Sequence, residues 1–249
     1  ETSGSLDVGN IVSTAGNIRL TLPDVSGALE NVNLNSTAVV KTSAGTIEIR
    51  VGDDITSASG SVISATGTIM IWADSNVTDP DPVAGTTINL AGEIRGAAVT
   101  INTGADADIV NITNVRSGAM IINTSAGADV IHVGSNATTT QTGGLLDGLD
   151  AQLSVNAGAD SDILFLDDSG DQQINTGTLN SNHLTGFGTA NISYSGFAEL
   201  QRDLGSAGDT LTIDSTSATT TTLDVSLGAG GDTVRVNSTD DLTRTTLRG

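Results

Sequence analysis

Apolar and polar positions alternate in short runs along the whole chain. Ile18/Leu20, Val32/Leu34, Ile47/Ile49, Ile69/Ile71 and Ile88/Leu90 open the series, and Val99/Ile101, Val110/Ile112, Ile131/Val133, Leu153/Val155 and Leu164/Leu166 continue it. A period of two puts successive side chains on opposite faces of an extended strand, so each pair marks one buried face. Gly, Asp, Asn, Ser and Thr bound the runs, as expected for many short strands joined by turns.

Five of the runs share a marker. Asp108, Asp129, Asp162, Asp209 and Asp232 each stand two residues before a core pair, and Gly104, Gly158, Gly205 and Gly228 stand four residues before four of them. These Asp are 21, 33, 47 and 23 residues apart, or about one, one and a half, two and one periods of 22. A half-period of 11 links Val99 to Val110, and Ile121 falls in the same series. Such repetition predicts an all-β parallel β-helix: a right-handed β-solenoid with coils of about 22 residues. An antiparallel sandwich also has short strands, but it does not repeat one Asp at a fixed offset from its core.

One continuous unit over 1–249 is expected, looser over 1–98 and regular over 99–249, with irregular stretches at 134–150 and 167–203. Val110, Ile131, Leu164, Leu211 and Val234 are predicted to face one core with their Asp neighbours in equivalent turns. Asn111, His132, Phe165, Thr212 and Arg235 then face outward, with no shared chemistry. Asp79-Pro80-Asp81-Pro82 reads as a loop, because proline cannot join a central strand. Neither Glu1-Thr2-Ser3-Gly4 nor Leu247-Arg248-Gly249 carries a terminal signature, so a segment of a longer chain is expected, stacking on its neighbours or on identical copies.

Composition narrows the partners. With 29 acidic against 9 basic residues the net charge is −20, which repels nucleic acid and anionic lipid. No apolar run approaches the roughly 20 residues needed to span a bilayer. Hydrophobic residues are still 37%, so a core can form, but aromatics are only 2%; small aliphatic side chains stacked in a narrow interior fit both values. The absence of cysteine removes disulfides and thiolate metal sites and accords with an exported protein.

Candidate chemistry centres on the acids. Gly228-x-Gly230-x-Asp232-x-Val234 reproduces half of a calcium-binding nonapeptide, so Asp108, Asp129, Asp162, Asp209 and Asp232 form a candidate Ca2+ ridge. The competing reading is that each Asp accepts backbone N–H bonds in its turn. Asp74, Asn76, Asp79 and Asp81 form a second candidate cation loop, set against an ordinary solvated acidic loop. Catalysis is not expected. Lys41 is the only lysine, His132 and His183 stand apart, and Asp167/Asp168 is a pair that so acidic a chain produces by chance. The Thr138–Thr140 and Thr219–Thr222 runs are too isolated for an ice-binding array.

Gly52-Asp53-Asp54-Ile55-Thr56, Asp167-Asp168-Ser169-Gly170-Asp171 and Gly228-Ala229-Gly230-Gly231-Asp232 resemble repeat units of giant secreted bacterial surface proteins, of planctomycete type and related to filamentous-haemagglutinin-like and RTX-like solenoids. The resemblance implies an extracellular, cell-surface protein with a structural or adhesive role; stabilisation by calcium at the Asp ridge and contact with extracellular polysaccharide are expected beside it. A polysaccharide-active β-helix enzyme, or an ice- or mineral-binding surface, is the alternative.

Overall fold

The computed structural model describes residues 4–25, 29–74, 85–140 and 142–249. Among the described residues there are twenty-two strands and no helix. The first part holds β1 (Leu6–Ser13), β2 (Ile18–Leu22), β3 (Val32–Thr42), β4 (Ile47–Val51), β5 (Ile55–Ser57), β6 (Val62–Ala65), β7 (Ile69–Trp72), β8 (Thr87–Leu90) and β9 (Glu93–Asn102). The middle holds β10 (Ile109–Ile112), β11 (Ser117–Asn123), β12 (Val130–Val133), β13 (Leu153–Asn156) and β14 (Ile163–Asp167). Next come β15 (Thr176–Leu179), β16 (His183–Gly186), β17 (Thr189–Ser195) and β18 (Glu199–Asp203). The last four are β19 (Thr210–Ile213), β20 (Thr222–Ser226), β21 (Thr233–Val236) and β22 (Arg244–Arg248). All belong to one long, open and mostly parallel sheet.

Pairing resolves that sheet into three ladders, each built by successive passes of the chain. The first runs β1, β3, β5, β8, β10, β12, β14, β18, β20, β22. Its register aligns Val32, Ile55, Ile88, Val110, Ile131, Leu164, Leu200 and Leu223, none more than 2% exposed. The second ladder joins the later halves of β1 and β3 to β6 and β9, and ends at Ser117. The third runs β2, β4, β7, β9, β11, β13, β17 and aligns Ile47, Ile69, Val99, Met120, Leu153 and Ile192. The inward residues of all three ladders merge into one core cluster. Burying each Val, Ile or Leu contributes about 1.5–3 kcal/mol relative to exposure.

The predicted repeat is therefore present with its period modified. Along the first ladder the aligned residues lie 23, 33, 22, 21, 33, 36 and 23 positions apart. The 33 between Ile131 and Leu164 holds a loop over 134–150 in place of a strand, and the 36 holds β15–β17. The spacing of 47 between Asp162 and Asp209 is not two periods. Asp162 precedes a strand of the first ladder, whereas Asp209 and Asp232 precede β19 and β21, which continue the third. The half-period of 11 is likewise a step from one ladder to another. Ile121 proves to be an outward residue, 37% exposed, because Met120 and Ile122 take the inward positions. Leu211 is fully buried, and Val234 packs on the core from a half-buried position.

The parallel order breaks once. After β17 the third ladder continues antiparallel to β16, then antiparallel to β15, and only then parallel to β19. The first ladder has nothing comparable, since β18 pairs directly with β14 and with β20. Between β17 and β19 one side of the stack thus carries two strands for which the other has none, a local excess of roughly 10 Å at the usual strand spacing. Large side chains collect here. Three of the five aromatic residues, Phe187, Tyr194 and Phe197, are buried in this region.

Arg202 is buried there too, although its register partners in the first ladder, Leu166 and Val225, are aliphatic. Its guanidinium pairs with Asp168 at 3.0 Å, donates to Leu166 O at 3.2 Å and Asp203 O at 2.6 Å, and lies 4.6 Å from the Phe187 ring. Removing one partner of a buried ion pair leaves an uncompensated charge at a cost of about 3–5 kcal/mol. Arg202→Leu is therefore expected to lower stability by about that amount in urea titrations. Combining it with Asp168→Asn should recover most of the loss; additive losses would mean that the pair is uncoupled.

Candidate functional site

Each predicted Asp lies in the turn just before a strand, and its carboxylate reaches the backbone of the preceding pass. Thr86 N–H donates to Asp108 Oδ1 at 2.7 Å, Asp108 N–H to Asp129 Oδ1 at 2.9 Å, and Asp129 N–H to Asp162 Oδ1 at 2.9 Å. On the third ladder Asn175 N–H donates to Asp209 Oδ1 at 2.8 Å and Asp209 N–H to Asp232 Oδ1 at 2.9 Å. The five residues thus form two rows, of three and of two. The motif is wider than the sequence pattern suggested. Asp53 accepts from Glu30 N–H at 2.5 Å, and the Asp167/Asp168 pair accepts from Gly144 and Leu146 N–H at 2.7 and 2.9 Å; Asp54 reaches the other way, to Thr87 N–H of the following pass at 2.7 Å.

The glycines of the pattern serve stacking. A Cβ on Gly158 would lie 1.0 Å from Ser125 O of the preceding pass. Gly228, at φ 75°, would place one 2.0 Å from Gly205 O. Only a residue without a side chain lets these turns approach so closely.

Burial sets the electrostatics of the three-membered row. Asp108, Asp129 and Asp162 are at most 1% exposed, and Oδ2 of each is buried. Burial pushes the Asp108 carboxyl up to about 7; the Thr103 side chain and the Thr86 N–H oppose the rise and the neighbouring Asp129 charge adds to it. Asp129 and Asp162 are also raised, chiefly by burial. Asp74 follows β7 at φ 47°, packs its carboxylate against Gly104, and adds to the field at Asp108. Asn76, Asp79 and Asp81 lie outside the described residues.

A calcium ion requires six to eight oxygens. Here one oxygen of each carboxylate is taken by an N–H, and the carbonyls of Asp108, Asp129 and Asp162 accept the N–H groups of Val130, Ile163 and Ala198. Among the described residues no group of three or more His, Cys, Asp or Glu is arranged to hold a metal ion. What remains, one buried oxygen per pass, suits a proton better than an oxygen cage.

Side-chain ladders of a second kind were not expected. Asn156 Nδ2 donates to Asn123 Oδ1 at 3.0 Å, and Asn123 Nδ2 to Asn102 Oδ1 at 2.9 Å. On the first ladder Asn111 Nδ2 donates to Asn89 Oδ1 at 2.6 Å, and Asn111 Oδ1 lies 2.9 Å from His132 Nδ1. His132 stacks on Phe165 with ring centroids 4.7 Å apart, and burial lowers its pKa. Asn111, His132 and Phe165 thus contact one another across successive passes, while Thr212 and Arg235 lie on the third ladder; His132 does not stand apart. The available signal was an Asn at one offset after three successive third-ladder core pairs, in Ile101-Asn102, Ile122-Asn123 and Val155-Asn156.

One cleft of about 470 Å³ opens where the 134–150 loop leans over the turns that follow the first ladder; Asn114, Arg116, Asn136, Thr138 and Asp147 line it. Arg116 pairs with Asp150 at 3.0 Å in its half-exposed rim. His183 lies elsewhere, beside Asn180 and Asn182.

No family model, no curated protein and no solved structure matches the chain.

The buried carboxyls set a pH dependence of definite sign. Each ionises near pH 4 in the unfolded chain but holds its proton to higher pH in the fold. The stability they contribute is complete below about pH 4 and is lost as pH rises through the folded values, near 7 for Asp108. Thermal unfolding should therefore give a higher Tm at pH 5 than at pH 8, and Asp108→Asn should flatten the difference. A Tm that rises with pH would contradict this. Repeating the pH 8 scan with millimolar calcium and with chelator separates a proton from a cation.

Proposed function

We propose that the chain is a non-catalytic structural segment: a parallel, right-handed β-solenoid whose passes are coils of about 22 residues, part of an extracellular surface or fibre protein. The observation that carries this reading is the unbroken parallel register of the first ladder, from β1 to β22, over one aliphatic core. Stacking of that kind builds length at constant cross-section, which is what a stalk or fibre needs.

Val236 in β21 and Leu247 in β22 are 48% and 44% exposed, and a parallel strand edge is a template for another strand. Other parts of the same parent chain or identical copies end to end are the partners this reading implies. The charge of −20 opposes sideways association while leaving axial backbone pairing open.

A polysaccharide-active enzyme is the second reading, because Arg116 and Asp147 line one cleft. Against it, Arg116 and Asp150 neutralise each other, and their side chains are 46% and 53% exposed. A general acid usually needs burial to hold its proton at neutral pH.

Ten first-ladder strands at about 4.8 Å predict a rod roughly 50 Å long. Small-angle scattering should give an elongated particle of that length, with multiples of it, and filaments by electron microscopy, as concentration rises. A globular scattering profile would sink the rod. A strictly monomeric rod at all concentrations would remove the end-to-end partner and leave the parent chain.

A further inference from the structure

We propose that the cleft beneath the 134–150 loop is a binding site for a neutral, hydroxyl-rich ligand of one or two pyranose rings, the terminal unit of an uncharged glycan. The cleft is independent of whether the stack forms fibres. Its volume of about 470 Å³ lies within the usual range for small-molecule sites, roughly 300–1,000 Å³.

The wall is preformed. Ser135 N–H donates to Leu145 O, and Leu145 N–H to Ser135 Oγ, both at 3.0 Å, which ties the two arms of the loop together. Asn136 Nδ2 donates to Thr142 O at 3.0 Å, and the buried Asp167 and Asp168 carboxylates hold Gly144 and Leu146 from below. A loop fixed in this way does not have to be ordered when a ligand arrives.

The lining selects the chemistry. Thr138, Asn136 and Asn114 bring hydroxyl and amide groups that both donate and accept. Asn114 Oδ1 is buried without a partner, although its Nδ2 bonds to Gly92 O and Thr113 Oγ1. A vicinal diol matches such a surface, because each of its hydroxyls is at once donor and acceptor.

Charge excludes the alternatives. Arg116 is already paired with Asp150, Asp147 adds a negative charge to the wall, and the whole chain carries −20. An acidic sugar or a phosphate would be repelled. No aromatic ring lines the cleft, so the stacking that tightens many sugar sites is missing and millimolar affinity is expected.

Saturation-transfer NMR on the full chain tests the site with four neutral disaccharides, cellobiose, maltose, lactose and diacetylchitobiose, and with glucuronate as the charged control. At least one disaccharide should show transfer, and glucuronate should show little. Ser59 is exposed at the cleft rim, so Ser59→Trp fills the site without entering the core. Ser59→Trp should reduce transfer several-fold while leaving the thermal unfolding curve unchanged. Absence of transfer from all four disaccharides would overturn the proposal. So would transfer that survives Ser59→Trp, or glucuronate binding as well as the neutral sugars.

Discussion

Outside the antiparallel β15–β17 insertion, every pass of this chain lays its backbone N–H and C=O groups against the previous pass, in parallel and in register, at about 4.8 Å. The other features follow from that constraint. Since the side-chain period is two, a slip of one residue would turn every inward Ile and Val outward. Pairings such as Ile55 with Ile88 and Val110 with Ile131 are therefore held by the whole core at once. The turns obey the same spacing, which is why Gly158 can have no Cβ above Ser125 O. A narrow interior built in this way leaves little room for rings, and the chain has five aromatic residues in 249.

Stacking like upon like is favourable for some side chains and costly for others. Asparagine gains, because each amide donates to one neighbour and accepts from the next, as in Asn102, Asn123 and Asn156. Aspartate has only acceptors when ionised. At about 5 Å two carboxylates repel by about 1 kcal/mol even in water, and by more when buried. Asp108, Asp129 and Asp162 persist in a row because each satisfies a backbone N–H that the turn would otherwise bury unpaired. Burial, with the like charge of the neighbouring carboxylates added, is what raises their pKa and ties the fold to pH.

Much of the architecture was legible because it depends on local pattern. Alternation marked nearly every strand, and the Asp two residues before each core pair located the turn that its carboxylate caps. Ladder identity was not legible. The motifs at Asp162 and Asp209 look alike in sequence, yet they belong to different ladders, because the chain steps between ladders on every pass and the same motif can mark either step. Ile121 was misplaced for a related reason: three apolar residues in a row, Met120, Ile121 and Ile122, leave the face undecided until the register with Leu153 and Val155 selects it. Arg202 carried no local signal at all. Its burial depends on Asp168 and Phe187, which only the fold brings within reach.

The departures from the repeat are where distinct chemistry becomes possible. A perfect stack presents the same shallow turn on every pass, and a ligand meeting it finds no concavity. The 134–150 loop breaks that uniformity and is held in place by Asp167 and Asp168. Asp168 pairs through its other oxygen with Arg202, the buried cation of the antiparallel insertion. One carboxylate thus spans the two irregularities, with Oδ1 on the Leu146 N–H beneath the cleft loop and Oδ2 on the guanidinium that fills the widened core. The cleft and the insertion are parts of one adjustment. Where the third ladder takes up two extra strands, the first ladder carries Arg202 in place of an aliphatic residue, and the loop over the cleft rests on that arginine's partner, Asp168. Selection acting on either feature would be felt at the other through Asp168.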